Sequence, residues 1–131
     1  MASVTPTEVE TFLIREYVML PFLIKIVENN LDKMKSGDYG RPLQELYIGI
    51  TTKMIDRINA DLTIVRKSLR DLRIKIWEDK SKAGVGNAIY YRYVCRGYEH
   101  ELAILREQAK AELGTRLGKY AQRLEDELTR G

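Results

Sequence analysis

Apolar residues recur every three or four positions along two long stretches of the chain. The first stripe runs Leu43, Tyr47, Ile50, Met54, Ile58, Leu62, Val65, Leu69, Leu72 and Ile76. The second runs Tyr91, Cys95, Tyr98, Leu102, Leu105, Ala109, Leu113, Leu117, Tyr120, Leu124 and Leu128. Steps of three and four residues keep side chains on one face of a helix. The pattern therefore predicts helices over about 42–80 and 87–129, joined by the Gly-rich turn from Lys80 to Asn87, with Pro42 opening the second helix and Asn87 capping the third.

An earlier helix is expected over about 6–35. Thr5 serves as its N-cap, Pro6 as its first helical residue and Glu8 as the partner that closes a capping box, with Val4 and Val9 placed as a hydrophobic staple. Lys33 and Lys35 suit its last turn, and Gly37 suits a left-handed residue just beyond it. Pro21 lies inside and predicts a kink near Tyr17. This helix is apolar on more than one side, as expected of an element sandwiched between neighbours.

These elements predict an all-α fold in one domain spanning residues 1–131: an elongated three-helix antiparallel bundle with a Pro-kinked first helix and a long hairpin made by the other two. Gly49 would lie opposite Gly114 and Gly118, which suggests a close helix–helix approach there. Gly97 is a candidate kink. The first helix is too short to reach the far end of the hairpin, so residues 72–94 are expected to project as an uncovered, adhesive tip.

Charge changes this picture more than composition does. The 131 residues hold 22 Lys and Arg against 19 Asp and Glu, a net charge of +3. The basic residues are unevenly spread. Between Arg66 and Arg96 nine of them meet three acids, a surplus of six, so the rest of the chain carries a deficit of three. Arg66, Arg70, Arg73 and Trp77 share one helical face, and Tyr90, Arg92, Tyr93 and Arg96 follow across the turn. Arg, Tyr and Trp dominate protein–protein hot spots. Cations interleaved with aromatic rings also grip phosphate backbones and stack on unpaired bases. These eight residues are the candidate partner-binding site.

No catalytic, cofactor or metal signature accompanies them. His100 is the sole histidine. The His-Glu-x-x sequence that it begins reaches Ile104 and fails as a metalloprotease motif. Gly84-Val85-Gly86 lacks the third glycine of a dinucleotide fingerprint. Cys95 is the only cysteine, which excludes an internal disulfide and suits a reducing, cytoplasmic setting. The longest apolar run, Tyr17 to Ile24, is far short of the ~20 residues a membrane span needs. The expectation is a non-catalytic helical interaction protein, an adaptor or sequestering regulator, without cofactor, membrane or small-molecule substrate. Its partner is another protein or a second copy bound through the hairpin. The alternative is a nucleic-acid-binding accessory protein that uses the basic-aromatic tip.

Overall fold

The computed structural model describes residues 5–37 and 40–130. Helix α1 spans Glu8–Ser36. Its capping box is real but lies two residues later than Thr5 and Glu8. The Thr7 hydroxyl accepts from the Glu10 N–H at 3.1 Å, and the Thr7 N–H donates to Glu10 Oε1 at 2.8 Å. Val4, the expected staple residue, lies outside the described residues. The helix runs unbroken through Pro21. Gly37 closes it with φ −83°, extended and not left-handed. Helix α2, Arg41–Asp71, carries Pro42 in its first turn and folds back along α1. Ile14, Leu20, Leu23 and Val27 of α1 pack there against Ile58, Leu62, Val65 and Leu69 of α2.

The expected helical hairpin does not form. Helix α2 ends at Asp71, well before Lys80, in a Schellman motif. The Ile74 N–H donates to the Leu69 carbonyl at 2.9 Å, and the Arg73 N–H to the Arg70 carbonyl at 3.0 Å. Arg73 itself takes the left-handed conformation at φ 58°. Ile74 and Leu69 are both buried in the same cluster and supply the apolar contact that accompanies this cap.

Residues 75–105 then form a three-stranded antiparallel meander in the order β1 (Lys75–Glu78), β2 (Ala88–Cys95), β3 (Tyr98–Leu105). Asn87, expected to cap a helix, precedes β2, and its carbonyl accepts from the Arg106 N–H at 2.9 Å. Gly97, expected as a kink, is the second residue of the β2–β3 turn. Arg96 at φ 51° and Gly97 at φ 81° make it a two-residue loop with both central residues left-handed, the form that matches strand twist. Only after β3 does helix α3 begin, over Arg106–Thr129. The fold is thus α+β, not an all-α three-helix bundle or coiled coil. The expected close approach at Gly49, Gly114 and Gly118 is also absent, because a Cβ built on any of them meets nothing within 4 Å.

The sheet is not an uncovered tip. Register places Ile89, Tyr91 and Tyr93 of β2 beside Ile104, Leu102 and His100 of β3, and Ile76 of β1 beside Tyr93. Residues two apart share a sheet face, and this face meets α1. Val18 and Met19 join Ile104 and Ala109 in a second buried cluster, flanked by Ile76, Ile89, Tyr91 and Leu102. One side of α1 therefore faces α2 and another faces the sheet. That accounts for a helix apolar on several sides. Tyr120 and Leu124 of α3 are buried too, and Tyr120 donates its hydroxyl to Asp61 Oδ2 at 2.5 Å.

Candidate binding groove

The Schellman turn decides where the cations point. Stopping α2 at Asp71 and reversing the chain at Arg73 lays β1 alongside the last turns of α2. Between them runs an open groove of about 710 Å³. Arg66, Arg70, Arg73 and Lys75 supply its cations. Leu69, Ile74, Ile76, Tyr17 and Trp77 supply an apolar floor and walls, and no carboxylate, imidazole or thiol lines it. Among the described residues none of the four cations has an ion-pair or side-chain hydrogen-bond partner. Trp77 is 39% exposed at its edge.

Four of the eight candidate residues, Arg66, Arg70, Arg73 and Trp77, are therefore brought together. The other four are not. Tyr90 lies on the sheet face away from α1, with the Lys82 ammonium 5.5 Å from its ring centroid. Arg92, on the same face, is held by Asp79 at 3.1 Å and Glu99 at 2.9 Å. Tyr93 faces α1 and stacks on His100, with 5.0 Å between ring centroids. Arg96 sits in the β2–β3 turn, where it bonds both carboxylate oxygens of Glu10 at 2.8 and 2.9 Å and the Thr5 carbonyl at 2.6 Å. Of the nine cations between Arg66 and Arg96, three (Lys82, Arg92 and Arg96) are paired with acids, and four of the other six line the groove. Lys75 and Tyr17 were not singled out from sequence. Lys75 was visible within the basic run, whereas Tyr17 reaches the groove only through the packing of α1 on the sheet.

The left-handed Arg73 is a strained position. An L-residue there costs about 1–2 kcal/mol, which glycine avoids. Arg73→Gly should raise stability by about 0.5–1 kcal/mol in urea unfolding, the gain reduced by the greater freedom of glycine in the unfolded chain. The same change removes one groove cation.

Glu10 and Arg96 give a second check. Glu10 is only 6% exposed. The Thr7 backbone N–H holds its carboxyl below the usual glutamate range, and the Arg96 guanidinium adds to the effect. A lowered pKa contributes stability that is complete above the unfolded-chain value of about 4.3 and is lost as pH falls through the folded value. Thermal melts from pH 7 to pH 3 should therefore fall more steeply for the native chain than for Glu10→Gln, which keeps the capping box but carries no charge. The Cys95 thiol, fully buried, donates to Glu10 Oε2 at 3.7 Å, and burial pushes it up and away from reactivity.

The class these features define is a small α+β protein: a three-stranded meander covered on one face by a long helix, with a cationic, apolar groove at its first strand. The family model described as YhjD protein matches residues 5–125, and the chain belongs to that family. No curated protein and no solved structure matches it. Among the described residues no helix is long and apolar enough to cross a membrane, and no cluster of His, Cys, Asp or Glu is placed to hold a metal ion.

Proposed function

We propose that this chain is a non-catalytic interaction module that captures an acidic, partly apolar segment of a protein partner in the groove between α2 and β1. Such capture suits an adaptor or a sequestering regulator. The observation that carries this reading is the set of four unpaired cations, Arg66, Arg70, Arg73 and Lys75, around an apolar cleft. Cations left without intramolecular partners are available to an anionic ligand, and the apolar floor would contribute burial that phosphate contacts alone do not offer. The nucleic-acid reading is less well supported. Tyr93 is stacked on His100 and Tyr90 lies beneath Lys82, so of the aromatic rings expected to stack on bases only Trp77 lines the groove, joined there by the partly buried Tyr17.

Trp77 is the only tryptophan, so its fluorescence reports on the groove directly. The test titrates the full chain at low salt with two capped acidic peptides, one alternating glutamate and valine and one helix-forming with glutamate and leucine, and with a single-stranded oligonucleotide. A saturable emission change with an acidic peptide supports the reading. An emission change with the oligonucleotide alone overturns it in favour of nucleic-acid binding. No change with any probe overturns it outright.

A further inference from the structure

The free edge of β1 borders this groove through Lys75, Ile76 and Trp77, with Glu78 just past its lining, and its hydrogen-bonding pattern narrows the partner. The Asp79 N–H donates to the Tyr90 carbonyl at 2.9 Å. Bonds alternate along an antiparallel ladder, so with this register Trp77 and Lys75 also exchange bonds with β2, while Ile76 and Glu78 turn their N–H and C=O groups away from it. Among the described residues none of these four groups bonds another backbone group. The edge thus presents two donors and two acceptors in alternation, and Arg73, Lys75 and the α2 arginines flank it.

Building on the proposed capture of an acidic segment, we infer that the partner segment binds as an extended strand, added to the edge of β1 as a fourth strand of the sheet. Two observations converge. A phosphate backbone offers only acceptors and would leave the outward carbonyls of Ile76 and Glu78 unmatched, whereas a peptide strand supplies both donors and acceptors. Acidic side chains two residues apart on a strand stand about 6.8 Å apart, close to the ~6 Å rise between Arg66 and Arg70 on α2.

The test compares the same two peptides on the native chain and on Glu78→Pro. Proline at this outward-facing position removes an edge donor without removing a β1–β2 bond, and strand edges tolerate it. Circular dichroism and a thermal melt establish that the variant is folded. We expect the alternating peptide to bind at least ~10-fold more tightly than the helix-forming one, and Glu78→Pro to weaken it by ~10-fold or more, the loss of one or two edge bonds. Methylating alternate amides of the peptide, one set at a time, should abolish binding for the set that faces β1 and spare the other. Equal affinity of the helix-forming peptide, or indifference to both methylated sets, overturns strand addition while the capture of acidic segments stands. Failure of both unmodified peptides overturns the capture itself. If the free chain dimerises in sedimentation and the dimer excludes the peptide, the occupant of the edge is a second copy and the inference fails.

Discussion

Truncating Ile104 to alanine should lower the unfolding free energy by about 2–5 kcal/mol, while truncating its neighbour Leu105 should change it by less than about 0.5 kcal/mol. Ile104 is fully buried, with 0% exposure, in the cluster where Val18 and Met19 of α1 meet the sheet. Removing its branched side chain leaves a cavity between a helix and a sheet, and neither can collapse freely into it. Leu105 is 60% exposed on the other face. A helical arrangement of this stretch reverses the order, because Leu105 lies on the three-and-four stripe and Ile104 does not. Urea denaturation of the two variants therefore reads the fold as well as the energy. A loss of this size is a large fraction of the ~5–15 kcal/mol that holds a domain together, so Ile104→Ala should also melt at a distinctly lower temperature.

The second large effect concerns the groove. Arg70→Glu combined with Arg73→Glu should weaken an acidic peptide by about 100-fold or more, because two attractions become two repulsions in one cleft. Stability should barely move, since both side chains are exposed and neither is paired. The contrast is what makes the result informative: a binding loss without a shift in the unfolding midpoint assigns the cations to the ligand. Raising the salt concentration should erode the native chain's affinity and leave the double variant's residual binding nearly flat. The corresponding reversal at Arg92 should behave differently. It removes the guanidinium that Asp79 and Glu99 share and should destabilise the sheet without a selective effect on the peptide.

How far the sequence discloses this fold depends on the element. The first helix is legible because its signals are local: a Thr and a Glu three apart before an apolar stretch, and cations at its end. Only the choice between Thr5 and Thr7 is ambiguous, since both have a Glu three positions on. The end of α2 is hidden for a physical reason. The left-handed residue that stops a helix is usually glycine, and here it is Arg73, so nothing between Leu72 and Ile76 reads as a stop.

The second stripe misleads through arithmetic. A step of four is even, so residues such as Tyr91 and Cys95, or Tyr98 and Leu102, share a face in a strand as well as in a helix. The discriminating signals were the β-branched and aromatic run Ile89-Tyr90-Tyr91-Arg92-Tyr93-Val94 and the Arg96-Gly97 turn flanked by Cys95 and Tyr98. The site was half legible. Arg66, Arg70 and Arg73 were grouped because α2 is helical nearly to its end. Trp77 joins them by way of the chain reversal and not by continued helical periodicity, and Arg92 and Arg96 find acids that only the tertiary fold brings near.

The seam between α1 and the meander also has a temporal side. Helices α1 and α2 are both specified by Asp71, yet the strand residue that seals Val18 and Met19 is Ile104. A ribosome adding 5–20 residues each second takes about 2–7 s to cross that interval. Throughout it the nascent chain carries a greasy flank whose counterpart has not yet been made, a window in which a chaperone or a neighbouring polysome product can reach it first.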